Sequence, residues 1–130
     1  MDFLQPPGWP RARGYSNGIS ARGRTVCVSG MVGWDAQCVF HTDDFAGQVR
    51  QALQNIVEVL AEANASPQHI VRMTWYVLDK KEYVDAYPAI GDAYRDVIGR
   101  HYPTMSAVQV AGLIEDRARV EIEVTAIVED

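Results

Sequence analysis

Few residues in this chain have the type and spacing to do chemistry. Glu121 and Glu123 stand two apart in the run Val120-Glu121-Ile122-Glu123-Val124, so in a strand both carboxylates point to one face. Left in water, they make a charged strand face; covered by a second subunit, one of them can hold a water molecule as general base. Ser29-Gly30 closes an apolar run and offers a hydroxyl beside bare backbone, or simply a strand-end turn. Tyr15, followed by Ser16-Asn17-Gly18, reads equally as a packed aromatic and as the wall of a pocket.

Other chemistries are poorly provided for. His41, His69 and His101 lie far apart in separate loops or element ends, so no metal-ligating set is expected. Cys27 falls inside a strand-like run, where a buried and inert thiol is expected. Cys38 has no basic neighbour in sequence to activate it. Two cysteines also exclude a disulfide framework and a four-cysteine zinc site. Phosphate loops, dinucleotide glycine fingerprints, Gly-x-Ser-x-Gly elbows and His-Glu-x-x-His helices are absent.

The elements that must position these residues follow from hydrophobic periodicity. Phe45, Val49, Ala52, Leu53, Ile56, Val57 and Leu60 recur at steps of three and four, which predicts a helix over 44–63. Gln48, Gln51, Asn55 and Glu58 are expected on its wet face, and Thr42, Asp43 and Asp44 supply acceptors at its start. Residues 15–21 and 25–30 read as two strands of a hairpin turning at Arg22-Gly23-Arg24. Residues 69–78 are apolar on both alternating faces, as in a central strand. A second helix is expected over 81–98, kinked or restarted at Pro88 and closed by Gly99. Strands at 105–110 and 118–128 complete the order β-β-α-β-α-β-β: an α+β domain with one mixed sheet and both helices on one face. The other face, expected to show Cys27 and Trp75 or Tyr76, is too apolar for open water and calls for self-association.

With 130 residues, the chain suits one domain, here 15–130, behind an extended arm at 1–14 that holds three prolines and two glycines. Twelve basic against seventeen acidic residues leave a net charge of −5. Nucleic acid is not an expected partner, because such binding rests on many Lys and Arg meeting phosphates. No run approaches a transmembrane span and no signal pattern opens the chain, so a cytoplasmic protein without membrane contact is expected.

Taken together, several stretches resemble the RidA/YjgF family of reactive-intermediate deaminases: Tyr15-Ser16-Asn17-Gly18, Val26-Cys27-Val28-Ser29-Gly30, the run from Gln48 to Ile56, Ile70 to Val77, and Val120 to Ala126. The resemblance implies a chorismate-mutase-like fold and a homotrimer whose sheets form a central barrel. It also implies small-molecule pockets between subunits, and hydrolysis of imines or enamines to a carbonyl compound and ammonia without metal or organic cofactor. By the same resemblance, Glu121 positions the attacking water, Tyr15 lines the pocket, and Ser29 and Gly30 lie near it.

The family's carboxylate-binding arginine belongs two places after the proline that precedes the fourth strand. In Pro103-Thr104-Met105-Ser106 that place is held by Met105, with Ser106 beside it. A thioether cannot grip a carboxylate through two charge-assisted hydrogen bonds as a guanidinium does. The expected substrate is therefore not a small 2-imino acid, unless Arg11, Arg13, Arg72 or Arg100 enters the pocket instead. A trimer that binds a small metabolite in the same cleft without catalysis is the alternative.

Overall fold

Thr42 and Asp44 begin the longest helix: the Asp44 carboxylate accepts from the Gly47 N–H, and Thr42 Oγ1 accepts from the Asp44 N–H. The computed structural model describes residues 1–130. In chain order it contains β1 (Asp2–Leu4), β2 (Gly18–Ser20), β3 (Arg24–Val32), α1 (Phe45–Glu62), β4 (Ile70–Val77), α2 (Lys80–Asp85), α3 (Tyr87–Val97), β5 (Thr104–Gln109) and β6 (Val120–Val128). The main sheet runs β3-β6-β4-β5; β4 and β5 are parallel and the other neighbours antiparallel. No helix is long and apolar enough to cross a membrane.

The core lies between this sheet and α1 with α3. Val49, Leu53, Ile56 and Leu60 of α1 are buried against Met73, Trp75 and Val77 of β4 and against Val120, Ile122, Val124 and Ala126 of β6. The alternation expected for β6 is observed residue by residue: Val120, Ile122, Val124, Ala126 and Val128 are buried, with Glu121, Glu123, Thr125 and Ile127 on the open side. The second helix restarts as expected. α2 ends at Asp85, and Pro88 sits in the first turn of α3, where its missing N–H has no helical partner to lose. Gly99, at φ +91°, ends it.

Three sequence expectations are corrected. β2 does not form a hairpin with β3; it pairs with β1, Phe3 opposite Ile19, while β3 pairs with β6, Thr25 opposite Ile127. Gly23 (φ +144°) serves a close approach instead of a tight turn, since a Cβ there would run into the Val128 carbonyl oxygen. Gln48 is fully buried, not on a wet face. Its Nε2 donates to the carbonyls of Thr42 and Arg117, and its Oε1 accepts from the Arg119 N–H.

The third correction concerns the open sheet face. Trp75 points to the helices; that face shows Tyr76 and Cys27 as expected, with the aliphatic Val108 and Ile127, beside the polar Thr74, Glu121, Glu123 and Thr125. It is more polar than expected, because residues 70–78 bury one side only. A register shift between Ile70 and Arg72 moves Ile70 into the core and disturbs the alternation that read as two-sided burial.

Candidate functional site

The register of the sheet divides the sequence-nominated residues into two sets. β5 lies beside β4 with Met105 level with Met73 and Ala107 level with Trp75, so Met105 and Ala107 face the helices. Ser106 is level with Thr74 and faces the open side, as do Glu121, level with Tyr76, and Glu123, level with Thr74. Glu121 and Met105 therefore stand on opposite faces of one sheet.

On the open side, the register of β3 slips between Val28 and Met31, so Ser29 and Gly30 bulge out, both exposed. The bare Gly30 backbone makes room for Glu121: a Cβ there would collide with its carboxylate. That carboxylate accepts no hydrogen bond from the chain, whereas Glu123 accepts one from the Tyr76 hydroxyl at 2.6 Å. The bond to Glu123, helped by partial desolvation, raises the Tyr76 phenol above its ordinary value.

On the helix side, Met105 opens into a groove of about 720 Å³ walled by aromatic rings and bordered by Tyr15. Tyr83 meets Tyr87 edge-on at 5.3 Å, and Tyr94 stacks on Tyr102 at 5.6 Å. Burial pushes the Tyr83 phenol up to about 12 and the Tyr94 phenol higher still, so both hydroxyls stay protonated at neutral pH; that of Tyr94 donates to the His101 carbonyl at 2.6 Å. Trp75, 1% exposed, lines the same groove, and its Nε1–H has no hydrogen-bond partner. Tyr15 is held there by its neighbour: the Ser16 N–H donates to the Pro103 carbonyl at 3.1 Å and the Ser16 hydroxyl to that of Tyr102.

Of the four arginines named from sequence as substitutes for the missing clamp, only Arg13 lines this groove. Arg72 is exposed on the open face, and Arg11 borders a separate surface hollow with Phe3 and Trp9. Arg95, which sequence reasoning missed, also lines the groove. Gly91 stands four residues earlier in the same helix, and only the structure ties it to Arg95. The histidines stay apart: His41 pairs with Asp35 at 2.6 Å, His69 Nδ1 accepts from the Ser66 N–H, and buried His101 meets the Ile70 carbonyl. No three His, Cys, Asp or Glu side chains gather as a metal site.

Comparison with known proteins covers most of the chain. Residues 9–128 match the family model described as Endoribonuclease L-PSP. A 2-iminobutanoate/2-iminopropanoate deaminase of Capra hircus is 31% identical over 105 residues, 80% of this chain and 73% of that one. The human protein of the same name is 30% identical over 107 residues, again 80% and 73%. Among solved structures, the Rid protein YyfB from Yersinia pestis, of unknown function, superposes with a TM-score of 0.86 at 27% identity, covering 98% of each chain. Escherichia coli TdcF with bound serine gives 0.70 at 28% identity over 99% of this chain and 100% of that one. With sheet order, helix placement and matched sequence in agreement, the chain belongs to the RidA/YjgF family, whose domain model bears the endoribonuclease description.

Proposed function

We propose that this protein hydrolyses imines and enamines to carbonyl compounds and ammonia in a cleft between the subunits of a homotrimer. The observation that carries the reading is the Glu121 carboxylate, set against the bare Gly30 backbone and accepting no hydrogen bond from its own chain. A carboxylate so placed can take a proton from water as the oxygen attacks the C=N carbon, then return it to the departing nitrogen. One imine and one water give one carbonyl compound and one ammonia: the C=N bond is replaced by C=O, both water protons end on nitrogen, and no redox partner is needed.

The intersubunit cleft is supported by the split of the candidate residues. Glu121, Ser29, Gly30 and Ser106 lie on one side of the sheet, Tyr15 and Met105 on the other. One small substrate reaches both sets only if they come from different copies. β5 and β3 are the two edges of the sheet, so a neighbour whose β3–β6 side meets this β5 edge would bring them together. Relatives about 30% identical are named for deaminating 2-iminobutanoate and 2-iminopropanoate, but Met105 gives a small 2-imino acid nothing to grip its carboxylate.

That same thioether favours one second reading, a metabolite-binding trimer without turnover. RNA cleavage finds less support: the chain carries −5, and its three histidines are engaged separately, with no acid–base pair among them.

Ammonia release from freshly generated imines and enamines decides between the readings. Turnover by the native protein is expected to fall by about 10²–10⁴ in Glu121→Ala, with folding unchanged since the side chain is partly exposed and bonded to nothing in the chain. Met105→Arg is expected to shift preference towards small 2-imino acids. Absence of turnover across the panel, with small-imine activity appearing only in Met105→Arg, would replace the hydrolase by the binding protein.

A further inference from the structure

The groove that holds Met105 is lined by basic charge and no acidic side chain. In a chain with more acidic than basic residues, the charged side chains lining it are Arg13 and Arg95, both basic. Arg13 forms no ion pair. Arg95 donates through Nη2 to Asp92 at 2.7 Å, a pair on the surface with the two side chains 47% and 72% exposed. Its Nη1 donates to no protein atom. Exposed pairs of this kind contribute little, so Asp92 leaves the guanidinium open to another anion.

Gly91 gives Arg95 room to lie close there. It stands within α3, where glycine costs about 1 kcal/mol relative to alanine, and its φ is not in the left-handed region that would call for glycine. What its missing side chain provides is space: a Cβ on residue 91 would come within 3.1 Å of Arg95 Nη1. The guanidinium thus folds back over the helix at the groove, one turn from its own Cα. The walls between this charge and Met105 are tyrosines and Trp75, with Tyr87 and Tyr15 half exposed at 52% and 44%. Exposed aromatic faces beside a guanidinium fit a flat apolar body that ends in an anion.

We infer that this groove binds an aryl-substituted carboxylate, its ring among the tyrosines and its acid group on Arg95 with Arg13. The anion clamp absent at residue 105 is supplied from α3, and the substrate class becomes an imine or enamine of an aromatic acid, displaced from Met105 by the length of the ring. The substrate assignment rests on the hydrolase reading above; the binding site itself does not.

Three small probes separate the terms: 3-phenylpropanoate, propanoate without the ring, and 3-phenylpropanamide without the charge. Titrated against the native assembly by calorimetry or by tyrosine and tryptophan fluorescence, 3-phenylpropanoate is expected to bind at least tenfold more tightly than either of the others. Arg95→Gln, which is exposed and leaves the fold intact, is expected to remove that advantage over the amide while leaving the amide's own affinity unchanged. Gly91→Ala favours the helix and asks only a small adjustment of the flexible guanidinium, so it is expected to raise the melting temperature and to leave acid binding close to native. Equal affinity for acid and amide, or an Arg95→Gln protein that binds the acid as well as the native one, overturns the site. Failure of the hydrolase reading looks different: the acid still binds, Glu121→Ala binds it as tightly, and no imine releases ammonia.

Discussion

Gly30 is the residue on which the catalytic reading can be tested without touching the carboxylate. Adding a single methyl there must move Glu121, because the Cβ would land on the carboxylate end of that side chain. The end of a partly exposed glutamate moves cheaply, so Gly30→Ala is expected to change stability by less than about 1 kcal/mol, within the range of ordinary surface substitutions. Turnover should fall tenfold or more, since general base catalysis requires the carboxylate within hydrogen-bond reach of the water. Thermal melts and ammonia release on one preparation check it; a stable variant with native turnover would detach Glu121 from the reaction. The placement of Glu121 was legible because a strand has a period of two, and Val120 and Ile122 declare which side is core. Arg95 was not legible. Its helical neighbours show only that it is solvent-facing, and nothing in the spacing says that an aromatic groove lies beside it.

Elements were read well where their pattern is long and one-sided, and poorly where a polar side chain does structural work. α1 runs from Phe45 to Glu62 within the expected span, yet Gln48 was assigned to its wet face because a binary pattern counts every glutamine as polar. The amide is instead consumed by backbone: it bonds Thr42 and Arg117 carbonyls and the Arg119 N–H, tying the start of α1 to the approach of β6. Asn55, also expected wet, donates to the carbonyls of Val32 and Trp34. A buried group of this kind is worth most when removed alone, because its partners then stay dry and unpaired. Gln48→Ala is therefore expected to destabilise the protein by about 2–4 kcal/mol, combining orphaned backbone groups with the space left behind. Urea unfolding measures it, and a cost below about 1 kcal/mol would mean that water replaces the amide. The mistaken hairpin has a related cause. A glycine between two β-rich segments reads as a turn, but pairing is decided at long range, by β6 for β3 and by the arm's own β1 for β2.

At the scale of the whole molecule, the open sheet face decides whether the two halves of the site meet. Its expected apolarity holds only in part: Tyr76, Val108, Ile127 and Cys27 face out, but Trp75 faces the helices and carboxylates and hydroxyls share the open side. What a covering subunit would meet is a mixed surface of hydrogen-bonding groups and aliphatic side chains around Cys27. This cysteine makes the assembly measurable. In the single chain Cys27 and Cys38 are both exposed, but Cys27 lies on β3 opposite Thr125, on the open face, whereas Cys38 sits in the loop between β3 and α1. A trimer closed over that face shields the first thiol and leaves the second in solvent. Light scattering should then give about three times 14.5 kDa, and an aromatic disulfide reagent should titrate Cys38 quickly and Cys27 only as the protein unfolds. Cys38→Ser should abolish the fast phase and leave the slow one. If both thiols react in one fast phase on a particle of 14.5 kDa, the open face is wet. Glu121 would then have no partner across a cleft, and the proposed reaction would lose its site.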